Sequence, residues 1–272
     1  MTLTRHTIGL IGAGNMGQAL LRGLVGAGVP RRHLLIVESD PAAARRVSRL
    51  FGVHAVGVQD IVERCDAIIL AVKPQDLRPV LELVADAARA QRRKPLVLSI
   101  AAGVTLAVLQ RHAPGLPVIR LMPNLPAKIG SGVTALAPGR LAGKPHRSLA
   151  HAVFASVGVV VHVPERLFDI VTAISGSGPA YFFVILKALR DAGVRAGLPE
   201  SVAQQLAVRT ALGSAQLVEQ TRADLALLIK QVASKKGTTE AALRVFERRD
   251  LAGVMGEGVA AAAKRSRELS RG

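Results

Sequence analysis

Tryptophan is absent from this chain, tyrosine and cysteine occur once each, and aromatic residues make up only 3% of it. A lone Cys65 excludes an intrachain disulfide and points to a reducing compartment. No Cys/His spacing of metal-site type accompanies it, so no metal centre is expected. The scarcity of aromatics removes the stacking platforms that single-stranded nucleic acid requires. Acidic residues are also few, 19 against 36 Lys and Arg, for a net charge of +17. The basic residues are spread singly, as at Arg190, Arg195, Arg209 and Arg244, with short clusters such as Arg45-Arg46 and Arg92-Arg93-Lys94. That pattern is a solvated surface and not a nucleic-acid stripe. Ile8 is reached without the cleavage pattern of a signal peptide, and no apolar run reads as long and uninterrupted enough to span a bilayer. The expectation is a soluble cytoplasmic protein with no nucleic-acid and no membrane partner.

Hydrophobic residues make up 50% of 272 positions, enough for one large core or two smaller ones. Up to about Val163, short β-branched runs alternate with helical stretches, the pattern of a parallel sheet with crossover helices. Strands are expected at Ile8–Ile11, Leu34–Val37, Ala67–Ala71, Leu96–Ile100 and Val118–Leu121, with Gly132–Leu136 and Val157–Val163 extending the sheet's edge. Helices are expected at about Gln18–Val25, Ala42–Leu50, Gln75–Ala90 and Leu106–Arg111. Beyond Val163 the strand-like runs vanish. Ala/Leu-rich helical runs follow at about Arg166–Ala196, Glu200–Gln220, Ala223–Ala233, Thr239–Arg248 and Leu251–Leu269. The reading is an α/β doubly wound, mostly parallel domain over 1–163 and an all-α domain over 164–272. Ala203, Leu206, Ala207, Ala211 and Leu212 make a helix face too broadly apolar for a single neighbour, which predicts a subunit interface.

Gly12-Ala13-Gly14-Asn15-Met16-Gly17 fits G-x-G-x-x-G between the first expected strand and helix. There the glycines let the backbone turn and approach a pyrophosphate seated on the helix N-terminus, the Rossmann arrangement. Glu38 ends the second strand about twenty residues after Gly17, where a carboxylate accepts hydrogen bonds from the adenosine ribose. A 2′-phosphate would face Glu38 and Asp40, with no arginine before Arg45, and this favours NADH over NADPH. Ser39 remains available to bind phosphate, and Arg45 or Arg46 could swing in. Near the other end, Ser234-Lys235-Lys236-Gly237-Thr238-Thr239 is a glycine- and hydroxyl-rich turn opening a helix. Its free backbone N–H groups suit a substrate carboxylate.

Further motifs then line up in order. They are Ala71-Val72-Lys73-Pro74-Gln75, Ser99-Ile100-Ala101-Ala102-Gly103, Arg120-Leu121-Met122-Pro123-Asn124, Ser175-Gly176-Ser177-Gly178-Pro179-Ala180-Tyr181, Gly197-Leu198-Pro199 and Gly237-Thr238-Thr239. Over essentially its whole length the chain resembles the pyrroline-5-carboxylate reductases. The resemblance implies a Rossmann domain, a helical dimerisation and substrate domain, and a homodimer or higher assembly of dimers. It also implies NAD(P)H-dependent reduction of 1-pyrroline-5-carboxylate to L-proline, the last step of proline synthesis. Carried over by position, Gly12, Gly14, Asn15, Met16 and Gly17 hold the pyrophosphate; Ala71, Lys73 and Pro74 line the cofactor; and Asn124 sits at its nicotinamide end. Ser234, Gly237, Thr238 and Thr239 form the substrate loop, with Thr239 nearest the ring nitrogen as the catalytic orienting group. Leu125 replaces a Thr common in the family, and Lys236 replaces a glycine, which would strain the loop if φ there is positive. Two alternatives remain at this point. One is a reductase of a related cyclic imine or a hydroxyacid dehydrogenase of the same architecture; the other is a non-catalytic nucleotide-sensing protein.

Overall fold

In the computed structural model, residues 3–270 are described. The chain runs β1 (Ile8–Ile11), α1 (Asn15–Gly26), β2 (Leu34–Val37), α2 (Pro41–Phe51), β3 (His54–Ala55), α3 (Val58–Arg64) and β4 (Ala67–Leu70). It continues through α4 (Pro74–Ala88), β5 (Leu96–Ser99), α5 (Leu106–His112), β6 (Val118–Met122), β7 (Gly132–Pro138), α6 (Lys144–Ala155) and β8 (Gly158–His162). Helices follow: α7 (Phe168–Val171), α8 (Gly178–Arg195), α9 (Glu200–Thr221), α10 (Leu225–Val232), α11 (Thr238–Arg248) and α12 (Leu251–Leu269).

The eight strands form one sheet in the order β3-β2-β1-β4-β5-β6-β7-β8, parallel throughout except where β7 runs against β6. Strand side chains alternate between two apolar layers, as a two-residue period dictates. Ile8, Leu10, Leu34, Ile36, Ile69 and Leu98 meet α1, α2 and α6 on one face. On the other, Ile11, Leu35, Ile68, Leu70 and Val97 meet α3, α4 and α5. Both faces of the central strands are therefore covered, which is why these strands read as unbroken Val/Ile/Leu runs. Each fully buried Leu or Ile contributes about 1.5–3 kcal/mol. Cys65 belongs to the second layer at 3% exposure, and burial pushes its thiol up to about 12, so it is a small core residue and no nucleophile.

The chain divides into two compact units. One runs as far as Ser177 and takes in the chain again from Ala262; the other is Gly178–Ala261. The change of composition at Pro164 falls earlier than this division, for a packing reason. Phe168 is buried in the second apolar layer of the first unit. Ser266 Oγ donates to Asp169 Oδ1 at 2.7 Å, tying the end of α12 to the same unit.

In the second unit, α8 and α9 form a helical hairpin around Gly197, whose φ is +100°. A Cβ on Gly193 would stand 3.1 Å from Ala203 Cβ, so the two helices approach closely there. Among the described residues of this unit, Ala203 and Ala207 are the only buried hydrophobics. Phe182, Phe183, Val184, Leu189, Leu206 and Leu212 are all exposed, Phe182 to 65%. A surface of that size needs another surface to cover it.

The structure corrects several expectations. The strand β3 and the helices α3 and α6 were not anticipated. The single helix expected over Arg166–Ala196 is broken: a 3-10 turn, α7 and a π-helical turn at Thr172–Gly176 precede α8. Thr172 Oγ1 donates to the Phe168 carbonyl at 2.7 Å where the turn widens. The expectation that no run could span a bilayer also fails: Glu165–Arg195 has the length and the composition, with a mean hydropathy of 1.4 over its most apolar window and 11% of that window buried.

Candidate active site

The first unit carries the residues expected at the cofactor. Gly12 leaves β1 with φ +90° and donates its N–H to the Val37 carbonyl at 2.9 Å. A Cβ there would meet Ala71 and Val72 backbone atoms at 2.9 Å, so the turn is pressed against the chain leaving β4. A Cβ on Gly17 would lie 2.5 Å from the Gly12 carbonyl oxygen, so α1 starts hard against its own turn. Gly14 differs from both: it is exposed, and nothing lies within 4 Å of where a Cβ would stand. Gly14 is also the N-cap of α1, with no side-chain cap, so the first-turn N–H groups of Asn15, Met16 and Gly17 are left for an external acceptor. Open space beside uncapped amides at a positive helix end is what a pyrophosphate needs.

Glu38 follows β2 and accepts the Ala13 N–H on Oε2 at 2.8 Å. Its Oε1 receives the Asp40 N–H and the Ser39 hydroxyl, each at 3.3 Å. Burial raises the Glu38 carboxyl, but the hydrogen bonds from Ala13, Asp40 and Ser39 together outweigh it and hold the group below its ordinary value. Glu38 is thus a fixed anion beside the glycine turn. Asp40 caps α2 through the Ala42 N–H at 2.8 Å. Arg45, Arg46 and Arg49 line a shallow basic concavity on that helix, and none of them has an acidic partner among the described residues. Ala71 joins β1 through its N–H to the Ile11 carbonyl at 2.8 Å. Lys73 is the exposed N-cap of α4, with Pro74 in the first turn.

Asn124 is already engaged. Its Oδ1 accepts the Val133 N–H at 2.9 Å and its Nδ2 donates to Ser175 Oγ at 3.3 Å, linking the end of β6 to the start of β7 and to the π-turn. The side chain therefore shapes this region as much as it offers contacts. A Cβ on Gly176 would sit 2.8 Å from Met122 Cε, which supports a packing role for that glycine.

One pair escaped the sequence reading. Arg120, 5% exposed on β6, donates from Nη1 to Glu165 Oε1 at 3.0 Å, and its guanidinium lies 4.7 Å from the Phe168 ring centre. The same Glu165 oxygen accepts the Leu106 N–H at 2.6 Å. A charge at the centre of a strand run was the available signal, because a buried Arg demands a partner.

The second unit carries the residues expected at the substrate. Between α10 and α11 the chain makes a tight turn in which the Gly237 N–H donates to the Ser234 carbonyl at 2.9 Å. A Cβ on Gly237 would lie 2.3 Å from Ser234 Oγ, so no larger residue fits there without a shift. Lys236 has φ +59°, in the left-handed region. Gly237 is the N-cap of α11 and no side chain caps the helix, so neither Ser234 nor Thr239 is spent on that task. The N–H groups of Thr238 and Thr239 are first-turn amides without intrahelical acceptors. Thr239 is half-buried and lines a cavity of about 420 Å³ with Ser214, Leu217, Leu228, Val232 and Leu243.

Comparison with known proteins now decides the family. Residues 165–269 match the family model described as pyrroline-5-carboxylate reductase dimerisation, and residues 7–103 match one described as NADP oxidoreductase coenzyme F420-dependent. The pyrroline-5-carboxylate reductase of Synechocystis is 41% identical over 97% of this chain and 98% of its own length. The chain belongs to the pyrroline-5-carboxylate reductase family. The Mycobacterium leprae enzyme of the same name is 43% identical over 96% of each chain. The solved structure of a pyrroline-5-carboxylate reductase from Coxiella burnetii superposes with a TM-score of 0.92, at 31% identity over 97% of this chain and 98% of that one. The resemblance read from the motifs is borne out, as is the fold: a Rossmann-type sheet followed by a helical dimerisation domain.

Proposed function

We propose that this chain catalyses the NAD(P)H-dependent reduction of 1-pyrroline-5-carboxylate to L-proline. The observation that carries the reading is the uncapped start of α11 beside the uncommitted Thr239, in a chain of this family. The Thr238 and Thr239 amides bind the substrate carboxylate as an anion at a helix N-terminus. Ser234 and Gly237 hold the turn that presents them. The Thr239 hydroxyl orients the ring nitrogen, which arrives protonated from water, so no dedicated general acid is required. Gly12, Gly14, Asn15, Met16 and Gly17 receive the pyrophosphate, Glu38 and Ser39 the adenosine ribose, and Ala71, Lys73 and Pro74 line the cofactor. Asn124, braced by Ser175 and Val133, shapes the nicotinamide end. When bound, the cofactor supplies the hydride.

Glu38 favours NADH, because its carboxylate is fixed where a 2′-phosphate would bring a second negative charge. Arg45 and Arg46 stand on the next helix and temper the preference without reversing it. Steady-state oxidation of NADH and NADPH in parallel, with 1-pyrroline-5-carboxylate, tests both parts. Turnover with a higher kcat/KM for NADH is expected. A strong preference for NADPH would overturn the role of Glu38, and no turnover with either would overturn the activity.

The reading includes a cytoplasmic homodimer or higher assembly of dimers, with no nucleic-acid or membrane partner. The exposed apolar faces of α8 and α9 support the assembly. Light scattering at micromolar concentration is expected to give a dimer or a multiple of it; a monomer would contradict the assembly.

A further inference from the structure

Lys236 should not hold a left-handed conformation unaided, and the structure shows what restrains it. An L-residue in that region is disfavoured by roughly 1–2 kcal/mol relative to right-handed backbone, yet Lys236 sits there at φ +59° in the turn before α11. Its N–H donates to Glu240 Oε2 at 2.5 Å. Glu240 is the third residue of α11, the position from which a glutamate ordinarily reaches back to the N-cap amide. Here the N-cap amide, that of Gly237, already donates to the Ser234 carbonyl at 2.9 Å. Glu240 therefore reaches one residue further. Its other oxygen, Oε1, accepts from Arg244 Nη2 at 2.9 Å, one helical turn on, which fixes the rotamer and offsets its charge. The Lys236 amide hydrogen bond and Arg244 both hold the Glu240 carboxyl below its ordinary value.

The geometry points to Glu240, braced by Arg244, as a positioning residue for substrate binding: a latch that holds Lys236 left-handed and so keeps the Thr238 and Thr239 amides aimed at the substrate carboxylate. The inference rests on the reading of this turn as the substrate loop. Glu240 touches neither substrate nor cofactor. Its carboxylate would otherwise repel an anionic substrate, and the paired Arg244 offsets that charge.

The test is a rescue experiment. In Glu240→Ala the turn is free to relax, and KM for 1-pyrroline-5-carboxylate is expected to rise about tenfold, the equivalent of the backbone preference it no longer opposes. Both kcat and the KM for NADH or NADPH should stay within about twofold of the parent. Adding Lys236→Gly removes the need for a latch, since glycine takes positive φ without strain, and the double variant is expected to recover to within about threefold of the parent KM. Amide hydrogen exchange at Gly237, whose N–H is held by the Ser234 carbonyl in this turn, gives a second readout independent of turnover. It should quicken about tenfold in the single variant and return in the double. An unchanged substrate KM and unchanged exchange in Glu240→Ala would overturn the latch, and so would losses that Lys236→Gly does not repair. A parent enzyme that never turns over the imine would instead count against the functional reading, while the exchange result would still judge the latch.

Discussion

Gly14→Val is expected to raise KM for the dinucleotide at least a hundredfold while leaving the fold intact. Nothing lies within 4 Å of the position a Cβ would take, and Gly14 has φ −69° and ψ −166°, extended backbone open to any L-residue. The branched side chain would fill the space beside the uncapped amides of Asn15, Met16 and Gly17. Blocking two charge-assisted hydrogen bonds there forfeits ~3 kcal/mol or more, which is about a hundredfold in affinity. Stability should fall by only about 1 kcal/mol, the loss of a tolerable N-cap. Gly17→Ala is the contrasting variant: its Cβ would collide with the Gly12 carbonyl oxygen at 2.5 Å, so it should lose both stability and cofactor affinity. Fluorescence titration with NADH beside thermal unfolding separates the two. Equal cofactor affinity in Gly14→Val would show that this opening is not where the pyrophosphate goes.

Glu165→Ala is expected to lower the stability of the fold by about 3 kcal/mol. It strands the guanidinium of Arg120, 5% exposed, and removes the acceptor of the Leu106 N–H. Deleting one partner of a buried pair destabilises by about 3–5 kcal/mol. Because Glu165 keeps 30% of its side chain exposed, the lower end of that range applies. Glu165→Gln retains an acceptor for Leu106 and should lose less, about 1–2 kcal/mol. Urea unfolding is expected to rank the parent first, Glu165→Gln second and Glu165→Ala last. A Glu165→Ala variant as stable as the parent would mean that the pair contributes nothing.

What the sequence disclosed follows from how each element is stabilised. Strands β1 and β2 have the limits expected of them because both faces are buried, which leaves uninterrupted Ile, Leu and Val bounded by glycine and polar residues. Helix α12 also begins and ends where its Ala-rich run does. The two-residue strand β3 has both residues exposed and carries no such signal. Helix α6 opens as Lys144-Pro145-His146-Arg147-Ser148, polar and proline-bearing, and its apolar face shows only from Leu149 onward. The break ahead of α8 lies in Ser175-Gly176-Ser177-Gly178, where small residues allow a π-turn that periodicity alone reads as unbroken helix.

The candidate site was legible in a different way. The glycines, Glu38 and the Ser234–Thr239 turn announce themselves because each departs from what a core or a plain helix would use. A positive φ at Lys236 was anticipated as a source of strain, and the structure has it at +59°. The Glu240 and Arg244 contacts that answer it were not legible, since an i, i+4 pair of opposite charge on a helix is ordinarily a surface feature of little consequence. The hydrogen bonds that occupy Asn124 were likewise hidden, because they join three segments distant in sequence.

Delivery of hydride from the dinucleotide to the imine carbon of 1-pyrroline-5-carboxylate leaves a mark that a single incubation can read. The purified chain is given that substrate with NADH dideuterated at C4, and the product is examined by mass spectrometry and NMR. L-proline carrying one deuterium on its δ carbon is expected. Unlabelled proline, or no proline from folded protein that still binds the dinucleotide, would contradict the assigned reaction.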